Sequence, residues 1–194
     1  MTSPLVLASA SPRRLDLLRR CGIEPAYVIE TDVDESVLPR ELPRAYAQRV
    51  ARAKAEAGAA SNQAAAAYVL AADTVVACGR RILPKALDET TAAECLDLLS
   101  GRRHRVMTAI VVATPDRRFV GRLVETAVRF KRLSPQERST YLSSAEWHGK
   151  AGGYAIQGAA EAFVPAIQGS YSNVVGLPLC ETLGLLQGLG WRPA

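Results

Sequence analysis

Hydrophobic positions open the chain as an unbroken run, Leu5 to Ala8, and then recur at helical spacing as Leu15, Leu17, Leu18 and Cys21. A short apolar run reads as a buried strand, and a three-to-four repeat reads as a helix. Ser11 fits the N-cap of that helix, Pro12 its first position and Gly22 its stop. A second strand is expected near Ala26–Ile29, followed by the acidic loop "ETDVDESVLPRELP". A long alanine-rich helix is expected from about Arg44 to Ala60, with Tyr46, Val50, Ala53 and Ala57 on one stripe. "AYVLAADTVVACG" reads as a buried strand interrupted at Asp73, "GRRIL" as a return, and "LDETTAAECLDLLSG" as an amphipathic helix ending at Gly101. "HRVMTAIVVA" and "RFVGRLVETAVRF" flank the turn "TPDR" and predict an antiparallel hairpin. Ser134, Pro135 and Glu137 stand in capping-box spacing. The "EWHGKAGGYAIQG" stretch is a glycine-rich loop leading to extended chain, and a last helix runs from about Pro178 to Gln187. Strands alternating with helices, plus a hairpin, predict an α/β fold with a mixed sheet flanked by helices.

With 194 residues, 48% hydrophobic and 22% charged, the chain fits one domain spanning 1–194, of two lobes, with a sizeable core. No apolar run approaches the length of a membrane span, and no cationic segment precedes the first apolar run as in a signal peptide. A cytoplasmic protein is the expectation, with no membrane partner. Cys21, Cys78, Cys95 and Cys180 are scattered without a CxxC pair, and His104 and His148 are the only histidines. That composition excludes an HExxH helix and leaves carboxylate-bound Mg²⁺ or Mn²⁺ as the metal expected. His104 and His148 are expected in structural roles.

A net charge of +5 favours anionic partners. Nucleic acid is one option, but no RGG, zinc-finger or RNP motif supports a stable nucleic-acid partner, and a small polyanion explains the excess equally well. The first helix sharpens the question, because Arg13 and Arg14 fall in its first turn, where the macrodipole favours anions. Either they turn to solvent or a strongly negative group sits among them. Asp73, within apolar "VLAADTVVA", either ends a strand and caps a turn or aims a carboxylate into a cleft to activate water or hold a metal. Thr74 would then point to the opposite face. Glu35 lies in a loop beside Asp32 and Asp34; Lys54 sits mid-helix among alanines; Lys85 and Lys150 are loop lysines; Gln157 reads as a buried amide. Taken singly, each fits a solvated surface or a packed core. Together they describe a polyphosphate site: a helix N-terminus, several cations and two carboxylates, without a Walker or GxGxxG loop.

The stretch "LASASPRRLDLL" resembles the opening signature of the Maf family of nucleoside triphosphate pyrophosphatases. The likeness continues in order through "VDE" at 33–35, "RAKA" at 52–55, "AADTVV" at 71–76, "LSGRRHRVMTA" from Leu99, "KAGGYAIQG" at 150–158 and "GSYSNVVGLPL" at 169–179. The resemblance implies hydrolysis of a nucleoside triphosphate to the monophosphate and pyrophosphate with a divalent cation, an inosine-triphosphatase-like two-lobed fold, and a homodimer. It assigns the general base to Asp73 and base selection to Arg13, Thr74 and Gln157, a set similar to the branch acting on dTTP and UTP. Phosphate-binding and acidic roles fall to Ser9, Ser11, Arg14, Glu35, Lys54 and Lys85, with Glu35 and Asp73 as the metal-holding pair. The chain departs from the family pattern at "PKA" (84–86, often GKP) and at "TAI" (108–110, often TGV). The competing readings are the same chemistry on 7-methyl-GTP or other modified nucleotides, and a non-catalytic nucleotide-binding regulator of septum formation.

Overall fold

The computed structural model describes residues 3–193. In chain order the elements are β1 (Leu5–Ala8), α1 (Pro12–Arg20), β2 (Tyr27–Ile29), α2 (Pro43–Ala60), β3 (Tyr68–Cys78), β4 (Arg81–Leu83), β5 (Lys85–Ala86), α3 (Glu89–Leu99), β6 (Arg103–Ala113), β7 (Phe119–Arg129), α4 (Pro135–Ser143), β8 (Lys150–Ala151), β9 (Ala166–Gln168), α5 (Tyr171–Val175) and α6 (Leu179–Gly188). The main sheet runs β2-β1-β3-β6-β7-β9, with β4 also paired to β3, and β5 and β8 form a separate two-stranded sheet. Strands β2, β1 and β3 are mutually parallel neighbours; β6, β7 and β9 continue antiparallel. The mixed α/β architecture expected from the pattern is the one observed.

Alternation along β3 splits the core in two. Val69, Ala71, Val75 and Ala77 face α2, with Val6, Ala8, Met107, Ala109 and Val111 beside them. Leu70, Ala72 and Val76 face the other side with Leu7, Ile110 and Val112, against Leu17 and Leu18 of α1, Leu96 and Leu99 of α3, and Leu186 of α6. The period of two sends successive side chains to opposite faces, so one strand feeds both cores. Helix α2 sits close to the sheet because Gly58 has no Cβ: one built there would fall 2.6 Å from the Ala8 Cβ.

Three expectations are corrected here. Strand β3 is not interrupted at Asp73; it runs unbroken through it, with Asp73 opposite Ala109 in the ladder with β6. The buried stripe of α2 is only partly the one anticipated: Tyr46 and Val50 are buried, but Ala53 is half-buried and Ala57 exposed, and the buried face includes Ala47, Ala51, Lys54, Ala55 and Gly58 instead. The adjacent stripe has the same 3.6-residue period and is equally alanine-rich, so periodicity alone did not separate the two. Lys85 and Lys150 lie on the paired strands β5 and β8, not in loops. The capping box at Ser134 and the hairpin of β6 and β7 form as anticipated, whereas Ser11 occupies the N-cap without a side-chain cap bond.

Candidate active site

The site lies where β3 loses its neighbour. Strand β1 ends at Ala8, opposite Ala71, and β4 takes up the same edge only at Val76. Residues 72–75 therefore have an open edge, and side chains from either face can reach the gap. Asp73 leaves toward α2 and Thr74 toward α1 and α5, and both line one cavity of about 530 Å³. The opposed directions expected for these two residues are what the alternation produces, yet the open edge lets them share a cavity. The same cavity takes in Ser9, Ser11, Arg13, Arg14, Glu35, Lys54, Lys85 and Gln157. Five cationic side chains there, counting Lys150, meet three carboxylates, counting Glu30.

Lys54 stands at the centre of the charged end. It is buried, and its Nζ lies 2.8 Å from Asp73 Oδ1 and 2.7 Å from Glu35 Oε1. The two carboxylates are thus separated by one ammonium group, and Lys85 Nζ bonds the other Glu35 oxygen, Oε2. Burial raises the Glu35 pKa, but the hydrogen bonds and charges of the two lysines outweigh it and hold the carboxyl below its ordinary value. Asp73 Oδ2 is buried with no partner. A buried carboxylate oxygen left unpaired is costly, and it marks where a ligand proton, a cation or a water belongs. Among the described residues no cluster of three or more metal-ligating side chains occurs. The two carboxylates, with Asp73 Oδ2 free, still suit a hard divalent ion that takes its remaining ligands from water or a bound ligand.

Glu35 reaches this point because its loop is pinned to α2. The Tyr46 hydroxyl donates to the Glu35 backbone carbonyl at 2.9 Å, and Arg49 Nη2 donates to that of Ser36 at 2.8 Å. Arg49 also pairs with Glu41 at 2.7 Å. Burial, with the charges of Asp73 and Glu35, pushes the Tyr46 phenol up to about 12, so it remains a donor at neutral pH. From sequence Tyr46 was placed only on the apolar stripe of α2 and Arg49 was not singled out; a tyrosine and an arginine one turn apart, next to an acidic loop, were the available signal.

At the other end the two arginines of α1 part company. Arg14 is buried, and three of its five N–H groups are engaged by the protein: Nε to the Gly176 carbonyl at 2.8 Å, Nη1 to Ser9 Oγ at 2.9 Å, and Nη2 to Thr74 Oγ1 at 3.1 Å. Gly176 holds φ +131°, a backbone that turns its carbonyl toward the guanidinium at little cost only for glycine. Arg13 is half-buried and its Nε has no partner; desolvation lowers the pKa of both arginines. Gln157 is exposed at the cavity rim rather than buried as expected. At the altered "PKA" segment the backbone is firmly held, with the Gly152 N–H on the Pro84 carbonyl at 2.9 Å and the Gly149 N–H on that of Ala86 at 2.7 Å. Ala109 and Ile110 of "TAI" are buried in the two cores, as a packing change requires.

A mixed α/β sheet with an edge gap that collects cations, an acid pair and a helix N-terminus defines a class: an acid–base cleft suited to a polyanionic ligand. The chain belongs to the Maf-like protein family, whose model matches residues 4–189. It is similar to the dTTP/UTP pyrophosphatase of Paramagnetospirillum magneticum, 61% identical over 189 residues, covering 97% of this chain and 98% of that protein. The Rhodospirillum rubrum protein of the same name is 59% identical, covering 99% and 90%, and that of Caulobacter vibrioides is 58% identical, covering 97% of each. Among solved structures, the Staphylococcus aureus Ham1 protein aligns with a TM-score of 0.46 at 19% identity, over 65% of this chain and 71% of that one. None of the described helices is long and apolar enough to cross a membrane.

Proposed function

We propose that this protein hydrolyses dTTP and UTP to the nucleoside monophosphate and pyrophosphate. The observation that carries the proposal is the Lys54-bridged pair of Asp73 and Glu35, with Asp73 Oδ2 buried and unpartnered inside a cation-lined cavity. The names of three relatives at about 60% identity support the same reading.

The chemistry follows from the charges. A triphosphate placed along the cavity meets the N-terminus of α1 and the Ser9–Ser11 turn, where backbone N–H groups and the helix dipole favour phosphate oxygens. Lys54, Lys85 and Lys150 offset its charge. Asp73 Oδ2 accepts a proton from the attacking water, the water oxygen bonds to the α-phosphorus, and the α–β anhydride breaks. Pyrophosphate then departs with the bond's electrons, against Lys85 and Lys54. Asp73 and Glu35, with phosphate oxygens, are the groups that would hold Mg²⁺ or Mn²⁺; a bound ion offsets developing charge and acidifies water. Arg13, Thr74 and Gln157, which share the cavity with apolar Ile156, Val174 and Val175, would contact the base. The four cysteines are unpaired, which suits the cytoplasm, where such substrates reside.

Pyrophosphate release from dTTP, UTP, CTP, GTP and 7-methyl-GTP with Mg²⁺ or Mn²⁺ tests the proposal. dTTP and UTP are expected to lead. Asp73→Asn keeps shape and hydrogen bonding but removes the base, with a loss of about 10³-fold or more in kcat. Orthophosphate instead of pyrophosphate, a dominant 7-methyl-GTP rate, or an unaffected Asp73→Asn enzyme would each overturn it.

A further inference from the structure

Strand β6 carries one hydroxyl in an otherwise apolar buried stretch, Thr108, which is fully buried and stands directly opposite Thr74 in the ladder. The two Oγ1 atoms are 3.0 Å apart. Thr108 Oγ1 is also 3.1 Å from the backbone carbonyl of Asn173. That carbonyl lies in the short helix α5, whose following amides, Gly176 and Leu177, both turn back to the Ser172 carbonyl. It is therefore one of the carbonyls a helix end leaves over, and it needs a donor. It is also immobile: Asn173 Nδ2 bonds the Val106 carbonyl at 3.1 Å and Thr126 Oγ1 at 2.9 Å, and Asn173 is fully buried.

Each threonine has one proton to give, and this fixes the direction of the chain of bonds. If Thr108 donates to the Asn173 carbonyl, Thr74 donates to Thr108, and both hydroxyl protons and that carbonyl are served. If instead Thr108 donated to Thr74, the Asn173 carbonyl would be left without a donor. The Thr74 proton would then fall on the Gly176 carbonyl at 3.4 Å, a long bond to an oxygen already taken by Arg14 Nε at 2.8 Å. The first arrangement is the better satisfied. Arg14 Nη2, which has no lone pair, fills one acceptor position of Thr74 Oγ1 at 3.1 Å. With its proton turned inward to Thr108 and one acceptor position taken, half-buried Thr74 shows the cavity a single remaining lone pair and no donor.

We infer that Thr108 is a positioning residue that locks Thr74 as a hydrogen-bond acceptor and so selects a base with an imide N–H. The inference rests on the pyrophosphatase reading above and deepens it. Uracil and thymine present an N–H between two carbonyls, and the N–H complements an acceptor in a cavity that Arg13 also lines. Cytosine presents a bare ring nitrogen at the same position, lone pair against lone pair. A site built around one such polar match rejects the mismatched base more strongly than an apolar pocket can reject an added methylene.

The test compares kcat/KM for UTP and CTP in the wild type, Thr108→Val and Thr108→Ser. The wild type is expected to favour UTP by at least about a hundredfold. Thr108→Val has nearly the same shape but frees the Thr74 proton, and the UTP-to-CTP ratio should fall at least about tenfold. Thr108→Ser keeps the hydroxyl and should restore the ratio, a rescue that a purely packing role would not predict. Should Thr108→Val not fold, Thr108→Ala removes the same hydroxyl and is judged by the same ratio. A wild type that hydrolyses UTP and CTP equally leaves the pyrophosphatase reading intact and overturns this one. So does a valine or alanine variant that loses both rates in parallel, or a serine variant whose ratio drops like valine's. A wild type inactive on both overturns the pyrophosphatase reading and this inference with it.

Discussion

Lys54 and Lys85 hold the same glutamate, yet burial gives them different duties. The Lys54 side chain is 9% exposed and bridges two carboxylates, whereas that of Lys85 is 51% exposed and, among the described residues, forms an ion pair with Glu35 alone. Removing the buried cation leaves Asp73 and Glu35 facing each other with nothing between, and uncompensated buried charge is costly, on the order of 3 kcal/mol. Lys54→Met should therefore lower both Tm and kcat, and like-charge repulsion should raise the carboxylate pKa and shift the acid limb of the rate profile to higher pH. Lys85→Met should leave Tm nearly unchanged, since an exposed ion pair is worth little, while cutting kcat/KM by about 10–10²-fold. Thermal melts beside pH–rate profiles separate the two; equal Tm losses would contradict this division. The sequence named both lysines through a family likeness, but their difference was not legible. Lys54 reads as a surface residue until the buried face of α2 is known, and in an alanine-rich helix two adjacent stripes compete for that face.

At the level of elements, the acidic loop is useful only because α2 holds it. Helix α2 contributes Lys54 from its middle, while Tyr46 and Arg49, about two turns and one turn earlier, fasten the backbone carrying Glu35 and Ser36. The helix thus fixes both partners of the ion pair from one rigid body. Tyr46→Phe removes a single hydroxyl and about 1 kcal/mol of hydrogen bonding. We expect kcat/KM to fall about three- to tenfold, with a change in Tm of only a few degrees. An unchanged kcat/KM would show that Glu35 is placed without this tether. Elements with strong local signals were readable in advance: α1 by Pro12 and Gly22, α4 by its capping box, β6 and β7 by their length and turn. Strand β4 was read only as the return "GRRIL", and β5, β8 and β9 were not read, because two or three residues among glycines and prolines carry no period. Helix α5 is five residues long, and beyond its Ser170 cap it is held by Thr108, Thr126 and Arg14 from other parts of the chain. The pairing that puts Thr74 beside Thr108 is likewise a long-range register.

Across the whole molecule, the cavity's glycine-rich wall is tied to the sheet through aromatic rings. His104 on β6 and Phe130 pack edge-to-face at 5.1 Å between centroids, Phe130 meets Tyr154 at 4.9 Å, and His104 Nε2 pairs with the Tyr154 hydroxyl at 2.8 Å. Tyr154 is three residues from Gln157 and four from Lys150, so this buried contact anchors the segment that carries both to the rim. The expectation of a structural role for His104 has a consequence in pH. Burial pushes its pKa from 6.5 down to about 4, so the folded protein holds the ring neutral while the unfolded chain takes up a proton. Between pH 6.5 and 4 the unfolded state therefore binds more protons, and stability falls as pH falls through that window, by about 3 kcal/mol at its lower end. The upper part, from pH 6.5 to 5, lies above the ordinary range of carboxylates and isolates the histidine. Tm measured over that interval should decline in the wild type. His104→Gln, less stable at neutral pH but unable to charge, should give a flatter curve; parallel curves would mean that His104 does not stay neutral in the fold. Because the ring lies under the cavity wall, the same acid step should loosen Lys150 and Gln157 before the sheet itself opens, so that activity is lost at a higher pH than secondary structure.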